Sequence, residues 1–323
     1  CCEKITTKTS VASLRLTGLV STGTNGRFHL VQVADFARIV TWAYNDKNMY
    51  DVFMQGIKMP KTTLRCMHGN LHDAEYKLLD IENYSKSLSD KEMACFVKPA
   101  IDSGKGKNIK KCKIRDGKIF IDEILQDINK LKSSYNGDFI IQESIDQSLF
   151  LSDIYPYSVN SIRSISLRYE DKIVILSNQL NFGNNHNYVS NTGAGGVVCG
   201  VDENGNVAEF GYDGQFHKIF EHPLTCKPFK YIALPKFNEL RKIIIQGHKR
   251  LPHFNLVAWD FGLDNLNQYV LIEYNLLSPG LNDHQVIDGP IFEKYLDGIM
   301  DNLHEPTMPI IPLQTHRRMF KWM

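Results

Sequence analysis

The sequence has no excess of charge of either sign: 37 basic side chains stand against 36 acidic ones over 323 residues, a formal net charge of +1. A nucleic-acid binder needs a basic excess or stripe to neutralise phosphates, so no nucleic-acid partner is expected. No apolar run approaches the roughly 18 residues of a membrane-spanning helix, so no transmembrane segment is expected either. Among the seven cysteines (Cys1, Cys2, Cys66, Cys95, Cys112, Cys199, Cys226) there is no C-x-x-C pair. An odd, scattered set argues against zinc and disulfide frameworks and predicts free thiols in a reducing cytoplasm. Internal repeats and low-complexity tracts are lacking too. The chain opens on Cys1-Cys2 rather than Met, which reads as a fragment or a processed start. What remains is ordinary for a globular protein, 43% apolar and 23% charged, and long enough for two or three lobes.

Several familiar phosphate motifs are missing as well. No G-x-x-x-x-G-K-[ST] loop is present. Gly193-Ala194-Gly195-Gly196 is not a dinucleotide fingerprint, because Val198 occupies the third glycine position. Asp260-Phe261-Gly262 spells the kinase metal motif, but no H-R-D-x-x-x-x-N precedes it.

What is present is a mixture of short strands and helices. Residues 1–30 are Thr/Ser/Gly-rich and irregular. Residues 31–56 carry a helical period through Val33, Phe36, Ile39, Val40, Ala43 and Tyr44 until Pro60. Strands are predicted over 95–98, 109–114, 118–121 and 139–142, with a helix over 122–132 capped by Asp122. Later come strands 161–169, 172–180, 196–201 and 206–210, a helix over 237–249, and a final strand pair, 256–261 and 269–274. Hairpin signals at Asp116-Gly117 and Asn204-Gly205 favour α+β over a doubly wound sheet.

Three groups carry chemistry. In the last hairpin Asp260 falls directly opposite Glu273, with Cβ atoms about 5 Å apart. Two carboxylates so close repel unless a cation or proton lies between them. Asn275 shares the face of Glu273 and adds a neutral oxygen, which makes a set suited to Mg²⁺ beside nucleotide phosphates. Next, Lys98 ends a strand before the glycine turn Ser103-Gly104-Lys105-Gly106, where an ammonium and backbone N–H groups can surround phosphates. An ordinary surface hairpin fits that turn as well. Third, Arg163 shares a face with Ile165 and Leu167 and needs a partner, either a structural carboxylate or a bound phosphate or carboxylate. His248, His253 and His284 are acid–base candidates, of which only His284 is close in sequence to the last hairpin. The basic, aromatic tail Arg317–Trp322 reads as frayed and solvated.

The order of these features resembles the ATP-grasp superfamily. More narrowly, Met59-Pro60-Lys61-Thr62, Arg65…Gly69-Asn70, Val97-Lys98-Pro99…Ser103-Gly104-Lys105-Gly106 and Ile272-Glu273-Tyr274-Asn275…Pro279-Gly280…Gln285 are similar to the sugar-transfer-associated ATP-grasp family, linked to bacterial surface-polysaccharide biosynthesis. The resemblance covers about residues 57–300. It implies an α+β fold of two lobes clamping ATP: a reduced, mainly helical N-terminal region over 1–60, an N-lobe over 61–145 and a C-lobe over 146–323. It implies Lys98, and less specifically Arg65, on the nucleotide phosphates, with Ser103, Gly104 and Gly106 in a lid. Gln142, Glu143 and Ile145 would lie around the adenine. Asp260, Glu273 and Asn275 would hold one or two Mg²⁺, or Mn²⁺ in its place. Arg163, assisted by Asn191, would stabilise the transferred phosphoryl group. The implied activity is a cytoplasmic carboxylate–amine ligase with small-molecule, sugar-linked substrates. The alternatives are a small-molecule kinase on the same site and a regulatory nucleotide binder without turnover. The short region before Thr62 departs from relatives that carry a full α/β domain there, which leaves the acceptor open.

Overall fold

Pro60 marks the point where the chain changes from helical to extended. The computed structural model describes residues 41–101, 108–190, 192–277 and 279–302. Residues 41–45 are helical, and the turn then breaks at Asp46, whose carboxylate accepts the N–H of Asn48 at 2.9 Å. A 3₁₀ turn (Lys47–Met49) and a one-turn helix α1 (Tyr50–Phe53) follow. The helix expected over 31–56 is therefore interrupted in its described part, because Asp46 offers the backbone a competing side-chain bond. Residues 1–40 and the tail Arg317–Trp322 lie outside the described residues.

Eight strands form the first sheet: β1 (Thr62–Met67), β2 (Asn70–His72), β3 (Leu78–Leu79), β4 (Met93–Pro99), β5 (Lys110–Arg115), β6 (Lys118–Ile121), β7 (Ile124–Leu125) and β8 (Phe139–Glu143). Their order is β3-β2-β1-β8-β4-β5-β6-β7 and the pairs are antiparallel. The helix predicted from Asp122 is corrected here. Asp122 and Glu123 both take positive φ, 51° and 60°, and turn the chain back into edge strand β7. Two successive left-handed residues make the favoured two-residue hairpin, and that local chemistry outweighs the apolar period of Ile124 and Leu125, which are exposed. Helix α2 (Ile128–Ser134) starts later, where Asp127 accepts the Lys130 N–H at 2.9 Å.

A short helix α3 (Leu149–Ile154) leads to the second sheet. Its strands are β9 (Ser161–Tyr169), β10 (Lys172–Phe182), β11 (Val197–Val201), β12 (Val207–Tyr212), β13 (Lys218–Ile219), β14 (Leu256–Leu263) and β15 (Tyr269–Asn275). They run β13-β12-β11-β10-β9-β14-β15, again antiparallel. Period-2 alternation sends Ile162, Leu180, Trp259 and Phe261 to one face, where α4 (Phe237–Lys249) packs with Leu240 and Ile244. The close approach rests on Gly247: a Cβ there would lie 2.8 Å from the Trp259 ring. The buried Trp259 indole N–H donates to Ser166 Oγ at 2.8 Å, and Ser166 also bonds His248 Nδ1 at 2.7 Å. The opposite face carries Ile165, Leu167 and Ala258, covered by α5 (Leu281–Asp288) and α6 (Leu296–Asn302) through Leu281 and Ile299.

Two antiparallel sheets with helices laid on their faces are the α+β arrangement that the hairpin signals predict. No helix among the described residues is long and apolar enough to cross a membrane. The register of the second sheet decides which polar side chains meet. Gln179 pairs with Arg163, Arg163 with Asp260, and Asp260 with Glu273. Cross-strand partners share a face, so these four residues form one transverse row over β10-β9-β14-β15, about 4.8 Å apart per strand.

Candidate active site

The row concentrates charge where strand pairing alone dictates it. Asp260 and Glu273 are opposed, and the Asn275 amide donates to Asp260 Oδ2 at 3.2 Å and Glu273 Oε1 at 3.4 Å. Arg163 grips Asp260 with both arms, Nε to Oδ1 at 2.7 Å and Nη2 to Oδ2 at 2.5 Å. Arginine on the apolar face thus finds a carboxylate, and that carboxylate is itself a predicted metal ligand.

Two lysines from outside this sheet complete the cluster. Lys98, near the end of β4, is buried and donates to Gln142 Oε1 at 3.2 Å. Burial pushes its pKa down to about 8, against the pull of Glu273. Lys47, also buried, lies with Nζ 3.5 Å from Glu273 Oε2. Burial raises Glu273, but Lys47, Arg163 and Lys98 together outweigh it and hold the carboxyl below its ordinary range. Asp260 goes the other way: burial lifts it further than Arg163 pulls it back. The two carboxyls are therefore driven apart in acidity by their surroundings.

Three cationic groups (Lys47, Lys98, Arg163) face two carboxylates (Asp260, Glu273) in a setting largely shielded from water. Such a set retains attraction for a polyphosphate even with both carboxylates ionised. The donors also fit a hard cation. Two carboxylates and an amide converge, and turning the Asn275 amide over would direct its oxygen to the point its NH₂ now occupies. Among the described residues no cluster of three or more His, Cys, Asp and Glu side chains has metal-binding spacing, so this mixed set is the metal candidate.

The remaining predicted residues are placed variously. Glu143 and Ile145 line a cavity of about 360 Å³ with Met93, Ala94, Ser144 and Asp146 where the chain leaves the first sheet. Gln142 is not among its walls: its side chain is buried, holding Lys98 and donating to the Pro60 carbonyl at 3.4 Å. Arg65 lies apart from this cavity, on β1. It is 1% exposed, donates to the Asn48 and Ala74 carbonyls and to Asp51, and lies 4.2 Å over the Tyr76 ring. Its two Nη groups tie the N-terminal segment to β1, while its buried Nε has no partner. Ser103, Gly104, Gly106 and Asn191 lie outside the described residues. Lys47 went unpredicted. The available signal was Asn45-Asp46, a polar helix stop inside an apolar period, which delivers the next side chain to a new direction.

A family model described as sugar-transfer associated ATP-grasp matches residues 36–300. Similar solved structures include the biotin carboxylase domain of Hydrogenobacter thermophilus 2-oxoglutarate carboxylase, at 12% identity and TM-score 0.44 over 77% of this chain and 45% of that one. The VanG D-Ala:D-Ser ligase of Enterococcus faecalis is similar at 12% identity and TM-score 0.45, over 80% and 61%. A Campylobacter jejuni biotin carboxylase gives 12% identity and TM-score 0.46, over 82% and 47%. The chain thus spans between 45% and 61% of the lengths of these structures. None of the curated proteins matches it. With the family's residues matched over most of its length, the chain belongs to the sugar-transfer associated ATP-grasp family.

Proposed function

We propose that the chain is an ATP- and Mg²⁺-dependent carboxylate–amine ligase working through an acyl phosphate, in the modification or synthesis of a cell-surface polysaccharide or its precursor. The observation that carries this reading is the Arg163–Asp260–Glu273 row, met by Lys47 and Lys98. The polysaccharide context is supported by the family's association with sugar transfer.

A carboxylate is a poor electrophile, and transfer of the γ-phosphoryl group turns it into an acyl phosphate that an amine can attack, releasing phosphate. The chemistry asks the protein for position and charge more than for covalent help. Lys98 and Lys47 would hold the nucleotide phosphates, and Arg163 would offset charge on the transferred group. The cavity beside Glu143 and Ile145 would take the adenine. Asp260, Glu273 and Asn275 would hold one or two Mg²⁺, or Mn²⁺ in its place, which supply neutralisation of the phosphate oxygens. The buried setting of Lys98 and Asp260 would strengthen their attraction for bound phosphates and metal, and shielding from water would protect the activated intermediate.

The test incubates the full chain with ATP, Mg²⁺ and pooled small carboxylates and amines, with product masses and free phosphate as readouts. An amide plus phosphate is the expected result, whereas a phosphorylated acceptor would assign the small-molecule kinase instead. Glu273→Ala and Asp260→Asn should each lower turnover by about a hundredfold or more. Unchanged turnover in both would remove the basis of the assignment.

A further inference from the structure

His284 has no place in the chemistry so far, yet its surroundings are unusual for a packing residue. It sits on α5 with none of its surface exposed. Its Nδ1 meets Ser177 Oγ at 2.5 Å. The tautomer that donates its Nδ1–H to the serine oxygen leaves Nε2 bare. Burial, helped by the nearby Arg163 charge, pushes the imidazole pKa down to about 3, so the ring is neutral.

Nε2 is buried and has no hydrogen-bond partner. A second buried acceptor, Gln179 Oε1, is orphaned in the same way, and Gln179 is the cross-strand neighbour of Arg163. A buried acceptor left unpaired is costly to the fold. Arg163 is the common neighbour of both. Its Nη1 lies against the start of α5, 3.1 Å from where a Cβ on Gly280 would be. Gly280 is the N-cap of α5, four residues before His284.

Arg163 is held by Asp260 through Nε and Nη2. A divalent cation on Asp260 would repel that guanidinium and compete for the same oxygens. We propose that His284 is the positioning residue for Arg163: when a cation takes Asp260, an Arg163 N–H turns from the carboxylate to donate a hydrogen bond to His284 Nε2, which holds the guanidinium towards the γ-phosphoryl group. Gln179 Oε1 offers a second resting point on the other flank. This inference rests on the ATP and metal reading of the site.

Calorimetric titration of the full chain with Mg²⁺–ADP and with a Mg²⁺-bound non-hydrolysable ATP analogue tests it, since only the latter carries the γ-phosphate. In His284→Phe, which keeps a buried ring but no acceptor, affinity for the ATP analogue should fall about tenfold and affinity for ADP stay within about twofold. His284→Gln, which restores an acceptor oxygen, should recover most of the loss. Thermal melts of both variants report whether the fold is intact. If His284→Phe keeps its preference for the ATP analogue, or both variants lose both nucleotides together with their cooperative melt, the positioning role is wrong. If the unaltered chain binds neither nucleotide, the ATP reading itself falls.

Discussion

Lys98 answers to pH because burial has already pushed its pKa down to about 8. An unfolded lysine titrates near 10.5, so between the two values the unfolded chain binds more protons and this group's contribution to stability rises with pH. Over the same interval the folded protein loses the ammonium that a phosphate needs. Nucleotide affinity should therefore weaken several-fold between about pH 7 and about pH 9, and the dependence should vanish in Lys98→Met, as followed by calorimetry. Arg65 makes the contrasting case. Arg65→Met should cost roughly 2 kcal/mol by denaturant unfolding, less than a fully buried ion pair because Asp51 is 40% exposed, with nucleotide affinity unchanged. If affinity fell instead, Arg65 would return to the phosphate site. At this scale the last hairpin was legible because strand alternation fixes which side chains oppose one another. Arg65 and Lys47 were not, since what a cation does depends on which anion lies beside it in space. Asp51 and Glu273 are not local patterns.

Elements were legible where one signal acted alone. Strand β9 and helix α4 run over the predicted residues because alternation in one and the 3.6-residue period in the other meet no competing turn. The stretch from Asp122 held two signals, an apolar helical spacing and a pair of residues that tolerate positive φ, and the turn won. The cap that starts α2 moved with it, so Asp127→Ala should cost about 1 kcal/mol while Asp122→Ala should act only on the hairpin. Urea unfolding of both variants checks the assignment, and an equal loss at α2 from either would contradict it. Sheet order was beyond the sequence. Strand β8 inserts between β1 and β4, and such pairing is decided by the packing of Ile141, Leu64 and Val97 rather than by any local motif.

Across the whole molecule the N-terminal segment acts as a bolt between the two sheets. The Lys47 N–H donates to the Ala100 carbonyl beside β4 while its Nζ reaches Glu273 on β15. Tyr50 and Tyr274 stack at 4.3 Å, and the Tyr274 hydroxyl donates to the Tyr44 carbonyl. Stability of the assembled chain carries an acid limit. Burial pushes His248 down to about 4 and His284 to about 3, whereas the unfolded chain protonates both near 6.5. The unfolded state gains protons first, so stability should fall as pH drops from about 6.5 towards about 4, by on the order of 3 kcal/mol for His248 alone. Denaturant midpoints measured across that range test this, and His248→Gln should flatten part of the slope.

The pairing of Trp259 with Ser166, one residue before Asp260, makes the protein its own optical reporter. An indole sealed from water emits at short wavelength, and its excited-state dipole responds to charges moving nearby. With Trp42 and Trp322 replaced by Phe, the fluorescence of the chain would come from that one ring. Titrating Mg²⁺ or nucleotide should then shift or quench it as the neighbouring guanidinium and carboxylate rearrange. The arrival of each ligand becomes measurable in unlabelled protein, before any acceptor for the reaction has been identified.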